Sequence, residues 1–143
     1  MQNDVTQIAK RRGDDIAERL LGFAARIGKL VDALPETRLS RHIAAQLVRS
    51  GTSLAPNYEE ARGAESKKDF VHKLGICLKE LRESCCWLRS ELLPNHRVAS
   101  LLDEGEQLGA IVAKSIVTAK TSIRNKRMKR TETPGMDACI PDS

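Results

Sequence analysis

Three histidines, four cysteines and a basic run near the C-terminus are the side chains in this 143-residue chain that invite a chemical reading. A metal site inside a helical bundle takes inward glutamates and paired Glu-x-x-His patterns. Here a single Asp69-x-x-His72 stands without a second copy, and His42, His72 and His96 fall on different stretches. Cys77, Cys85, Cys86 and Cys139 make no CxxC pair and have no histidine at zinc-ligand spacing. They read as small buried hydrophobes, with Cys139, in a loose tail, the most reactive. Cys77 and His72 are five apart on one helix and point to different sides, so they supply no nucleophile with its base. The "GTS" at 51–53 lacks the lysine and the spacing of a phosphate loop. These residues predict no catalytic site, no metal and no cofactor: a protein that is not an enzyme.

Charged and polar residues are better organised. Arg49, Ser53, Asn57 and Glu60 recur at spacings of four, four and three. At 100° per residue they form a stripe roughly 100° from the apolar face of the same helix, on the flank of the core. On the next helix Lys73, Glu80, Trp87 and Glu91 lie in register beside an apolar stripe of their own. Arg49 and Glu80 are natural partners, either in a half-buried network within one chain or across a subunit interface, where a guanidinium makes two-pronged bonds to carboxylates. A solvated charged face is the third possibility. Trp87, the single tryptophan, favours a contact surface.

Net charge is +5, from 24 basic and 19 acidic residues. Arg124, Lys126, Arg127, Lys129 and Arg130 concentrate that charge in "RNKRMKR", and Arg11 and Arg12 add a basic pair near the other terminus. Such a balance permits contact with RNA or DNA. A basic helix end also complements the helix dipole and keeps a protein soluble.

The elements that carry these residues are helices. Aromatics are 3% of the chain, which leaves Leu, Ile, Val and Ala to fill the core. Ile16, Leu20, Phe23, Ile27, Leu30 and Leu34 recur every three or four residues and predict a helix over 15–34, stopped by Pro35. A second spans 38–62 around Ile43, Leu47, Leu54, Tyr58 and Ala61, with Pro56 inside it. Proline lacks the amide donor and bends a helix, and Ser53 and Asn57 can satisfy the backbone groups it frees. The bend would set Asn57, Glu59, Glu60 and Arg62 on a distinct surface. A third helix, 67–92, opens at the capping-box-like "SKKD" and follows Phe70, Leu74, Cys77, Leu81, Cys85, Leu88 and Leu92 to Pro94. The fourth, 97–126, carries Leu101, Leu108, Ile111, Val112, Ile116 and Ile123. Short links between long helices predict an all-α, antiparallel up-down-up-down four-helix bundle over 14–127 with a kinked second helix. Residues 1–13 are expected to be flexible and 128–143 disordered. No apolar run suits a membrane span and the N-terminus has no signal-peptide pattern, so the expected location is the cytoplasm.

The segment "RSGTSLAPNYEEARGAESKKDFVHKLGICLKELRESCCWL", residues 49–88, resembles the hallmark of a bacterial family of four-helix bundle proteins, the 23S rRNA-intervening-sequence proteins. The matching positions include Arg49, Ser53, Pro56, Asn57, Glu59, Arg62, Ser66, Asp69, Phe70, Leu74, Glu80 and Leu81. Tyr58 departs from the usual small aliphatic residue, and Ala61 follows Glu60 where the family tends to have glycine. The resemblance implies a bundle that assembles into a homopentameric ring. That ring is related in shape to the accessory proteins of diversity-generating retroelements, which bind a reverse transcriptase with nucleic acid. Two functions follow as expectations. One is a non-catalytic oligomeric scaffold with Arg49, Ser53, Asn57, Glu60, Arg62, Glu80 and Trp87 as its polar cluster. The other is an RNA- or DNA-binding accessory protein that uses Arg124, Lys126, Arg127, Lys129 and Arg130, with a reverse transcriptase as partner.

Overall fold

Helix α1, Asp14–Asp32, begins where Gly13 takes a left-handed φ of 91° and two aspartates occupy the first turn, against the positive end of the helix dipole. The computed structural model describes residues 11–132, and among these the chain forms four α-helices and no strand. Helix α2 is Arg38–Arg62, α3 is Lys67–Arg89 and α4 is Val98–Thr131. Thr37 caps α2 by accepting from the Ser40 amide at 3.1 Å, and Ser66 caps α3 by accepting from the Asp69 amide at 3.0 Å.

The core is the aliphatic one that the composition demands. Leu20, Phe23, Ile27 and Leu30 of α1 meet Ile43, Leu47 and Leu54 of α2, Cys77, Leu81 and Leu88 of α3, and Leu101 and Leu108 of α4. Each fully buried large side chain contributes about 1.5–3 kcal/mol. A smaller cluster of Ala61, Leu74 and Val112 is flanked by Tyr58, Phe70, Leu78 and Ile116. Two glycines let helices approach: a Cβ at Gly51 would collide with the Ile27 tip, and one at Gly105 would lie 2.7 Å from Cys85 Sγ. Inside the α2–α3 wall the buried hydroxyls of Ser50 and Ser84 are 2.7 Å apart.

Cross-helix pairs set the directions. Arg49 pairs with Glu80 and, eleven residues on, Glu60 pairs with Lys73, so ascending α2 is descending α3. Arg89 meets Glu106 while Lys67 meets Ser122 on α4. Arg62 of α2 holds Asp14 of α1, and Arg26 of α1 donates to Ser100 of α4. Contacts join α1 to α2, α2 to α3, α3 to α4, and α4 back to α1.

Three boundaries differ from the sequence expectation. Helix α1 stops at Asp32, before Leu34. Helix α3 ends at Arg89 instead of 92, because Ser90 turns its hydroxyl back to the Trp87 carbonyl at 2.6 Å and Glu91 adopts a left-handed φ of 61°. That turn rotates Leu92 outward, 45% exposed, and puts Leu93 in the core in its place. Helix α4 runs to Thr131, so the tail expected from 128 starts with helix; Met, Lys and Arg are good helix formers, and Lys129 and Arg130 sit favourably at the negative end of the dipole. The remainder of that tail, and residues 1–10 of the flexible N-terminus expected over 1–13, lie outside the described residues.

Helix α2 passes through Pro56 unbroken. The proline makes no break between Arg38 and Arg62. Around it, Thr52 donates to the Val48 carbonyl at 2.5 Å, Ser53 to that of Ser50 at 2.8 Å and Asn57 to that of Ser53 at 2.9 Å; none of these bonds reaches the Thr52 carbonyl, the group that the proline leaves without its amide donor. Among the described residues no helix is long and apolar enough to cross a membrane.

Candidate functional site

The polar stripes of α2 and α3 meet within one chain. Arg49 donates to Glu80 at 3.0 Å and also to the Glu83 carboxylate, whose pKa is lowered chiefly by that bond. Glu60 accepts from Lys73 at 3.0 Å. Ser53 and Asn57, by contrast, spend their hydrogen bonds on the α2 backbone. Trp87 is half-buried, edge-on to His42 with ring centres 6.3 Å apart. Among the described residues its buried indole N–H has no close hydrogen-bond partner, although it lies near enough to Glu83 to help hold that carboxyl low. Glu91 falls outside the helix and leaves the stripe. The stripe is thus a strut between α2 and α3, and Glu83 is a member that spacing alone did not single out.

A second strut escaped the sequence reading. Arg19 of α1 makes a two-pronged contact with Glu104 of α4, at 2.8 and 3.0 Å. Both positions border the core beside Leu20 and Gly105, but one arginine and one glutamate 85 residues apart carry no local signal.

Arg62 does something different from the rest of the predicted cluster. Its guanidinium contacts Asp14 at 2.5 Å, Glu59 at 2.8 Å and the Arg12 carbonyl at 3.2 Å, and lies 6.0 Å from the Tyr58 ring centre. It forms part of the wall of an open cleft of about 1080 Å³, where the start of α1, the end of α2 and the start of α3 face residues 111–122 of α4. Among the described residues, Arg11, Arg12, Lys67 and Lys114 are the other cations of that wall, and Glu59 is its one carboxylate. Tyr58 and Phe70 supply aromatic surface, and Ser115, Thr118 and Ser122 supply hydroxyls. Of these, sequence reasoning had noted Arg11, Arg12 and Arg62; Lys67 and Lys114 were missed because they come together only when α3 and α4 pack.

Beyond the cleft the basic run continues on α4. No residue of α4 after Val112 is buried, and Val117 and Met128 are 63% and 53% exposed. Ile123, expected in the core stripe, is exposed as well. The reason is length: Lys67, the first residue of α3, reaches Ser122, so the nine residues from Ile123 to Thr131 extend α4 by about 13 Å past its neighbour. Arg124, Lys126, Arg127, Lys129 and Arg130 all lie on this exposed projection.

The buried thiols are poor nucleophiles. Burial pushes Cys77 and Cys85 up to about 11, and Cys77 donates weakly to the Leu54 carbonyl at 3.6 Å. Cys86 is exposed, and Cys139 lies outside the described residues. Among the described residues no three His, Cys, Asp or Glu side chains converge as metal ligands.

No curated protein matches this chain. Among solved structures it is similar to a protein of unknown function from the S23 ribosomal protein family of Bacteroides thetaiotaomicron VPI-5482, with 31% identity over 71% of this chain and 97% of that one, and a TM-score of 0.63. Residues 14–114, from the first residue of α1 to the cleft lysine on α4, match the 23S rRNA-intervening sequence proteins. By that match, which covers α1 to α3 and the first half of α4, the chain belongs to the 23S rRNA-intervening sequence protein family.

Proposed function

We propose that this protein is a non-catalytic nucleic-acid-binding accessory protein, which grips a phosphate backbone with the basic end of an antiparallel up-down-up-down four-helix bundle. One observation carries the reading. Between Glu106 and Glu132 the chain has no carboxylate and seven cations: Lys114, Lys120, Arg124, Lys126, Arg127, Lys129 and Arg130. The C-terminal part of that stretch stands clear of the bundle as an exposed helix. The antiparallel arrangement, supported by the Arg49–Glu80 and Glu60–Lys73 pairs, sets the cleft cations at the foot of this projection. Phosphate contacts of this kind neutralise backbone charge and are nearly blind to sequence. Anisotropy of labelled RNA and DNA in the presence of the full chain tests the proposal.

Self-assembly into a scaffold is the second reading. It is favoured by Leu39 and Leu92, 49% and 45% exposed, at the start of α2 and just after α3, on the end of the bundle away from the cations. Assembly through that end would leave every basic projection free. A ring, five-fold as the family resemblance implies, would then add weak phosphate contacts into avidity and present them to RNA held by a reverse transcriptase or another enzyme. Light scattering of the full chain reads the mass directly, and a monomer at micromolar concentration rejects the ring.

A further inference from the structure

We infer that the cleft between the start of α1 and residues 111–122 of α4 is a subsite for one unpaired nucleotide, its phosphate held by Lys67 and Lys114 and its base laid against Tyr58 and Phe70. The inference rests on the nucleic-acid reading above and adds to it a discrimination that the exposed projection of α4 cannot make, namely single strand over duplex.

Three features of the cleft converge on this ligand. The first is its aromatic surface. The chain has four Phe, Tyr and Trp residues, and two of them, Tyr58 and Phe70, line this cleft. Both are only partly buried, so ring surface remains for a ligand. A base offers a free face to an aromatic ring only when it is unstacked, which is why single strands are recognised this way and duplexes are not.

The second is charge that the protein leaves unused. Glu59, the one carboxylate of the wall, is already engaged by Arg62. Lys67 reaches only the neutral hydroxyl of Ser122, and Lys114 has no carboxylate partner among the described residues. Arg62, anchored by Asp14 and Glu59, is held in place beside Tyr58 and stiffens the wall. The two lysines are thus available to a phosphate, and both are exposed.

The third is size and position. At about 1080 Å³ the cleft is slightly larger than the roughly 300–1,000 Å³ typical of small-ligand sites, ample for a nucleotide with its neighbouring phosphate. It opens at the base of the α4 projection, so a strand tracking the cations from Arg130 back to Lys120 is led towards Lys114.

The test compares an unpaired RNA oligonucleotide, the same sequence as a duplex, and free AMP, all with the full chain at low salt. Cleft variants are Tyr58→Leu and Phe70→Leu, which keep apolar bulk, and Lys114→Gln at an exposed position, so that at least one variant folds. Removing one stacked ring is expected to weaken the single strand by roughly 5- to 100-fold while leaving duplex binding unchanged. A photoreactive base in the oligonucleotide is expected to crosslink to Tyr58 or Phe70. Competition by AMP assigns the subsite to a free nucleotide as well as a strand, and its absence assigns it to a strand alone; both agree with the inference. Equal binding of single strand and duplex, with cleft variants unchanged and crosslinks confined to residues 120–130, overturns the inference and leaves the phosphate-binding reading standing. No binding of either form overturns both.

Discussion

Arg62 and Asp14 are joined at 2.5 Å, which fastens the last residue of α2 to the first residue of α1 and builds one wall of the cleft. The bond holds the Asp14 carboxyl below its ordinary value of 3.8, with the Arg11 amide as the next cause. Arg49 does the same for Glu83, and Arg19 for Glu104, from an ordinary 4.5.

The pH dependence follows from these directions. A carboxyl whose pKa is lower in the folded chain adds stability that is complete above its unfolded value and is lost as pH falls through the folded value. The melting temperature is therefore expected to be insensitive to these groups at neutral pH and to fall progressively below about pH 4.5. Melts followed by circular dichroism check this. Glu104→Gln is expected to lower the melting temperature at neutral pH and to flatten the acid limb, since it removes one of the three titrating struts.

The Ser50–Ser84 pair gives a sharper stability test. Each hydroxyl is buried, and the only other partner of Ser50 Oγ is the Leu47 carbonyl at 3.5 Å. Ser84→Ala is expected to cost about 1–3 kcal/mol by leaving the buried Ser50 hydroxyl with only its long contact to the Leu47 carbonyl. Adding Ser50→Ala should then cost much less than it does alone, because no buried group is left without a partner. A double-mutant cycle in urea measures the coupling.

How far the sequence reaches is clear from particular residues. Helices α1 to α3 were legible because their apolar residues repeat every three or four positions and because Ser66 opens the capping-box-like start of α3. The Arg49–Glu80 strut was legible because both residues keep register beside apolar stripes. Arg19–Glu104 was not, since nothing local links α1 to α4. The end of α3 was misjudged because Leu92 continues the stripe at helical spacing, whereas the left-handed turn at Glu91 ends that spacing and buries Leu93 instead. The extent of α4 was misjudged because apolar periodicity fades after Ile116, whereas helix propensity and the dipole carry the basic run on to Thr131. The cleft needed the fold, as its lysines are 47 residues apart, Lys67 to Lys114.

Glycines separate packing from propensity. Gly75 lies exposed within α3, and a Cβ there meets nothing within 4 Å, so Gly75→Ala is expected to stabilise the protein by about 0.5–1 kcal/mol. Gly105 lies against Cys85 and Phe23, at 2.7 and 3.1 Å from an added Cβ. Gly105→Ala gains the same propensity but must push apart α1, α3 and α4, at about 1–3 kcal/mol. Opposite signs in denaturant melts are the expected result; stabilisation by both would show that the α4 contact at Gly105 is looser than the distances imply.

The central claim is that the projecting end of α4 binds nucleic-acid phosphates, and the salt dependence of RNA binding tests it most directly. Log affinity for a single-stranded RNA should fall linearly with log salt, with a slope of about −0.7 per phosphate contact. Arg124→Gln, Lys126→Gln and Arg127→Gln combined, all on the exposed projection and clear of the core, should leave the melting temperature near that of the native protein and make the slope shallower by about 2. No binding by the native chain at about 50 mM salt, or an unchanged slope in the triple variant, would contradict it.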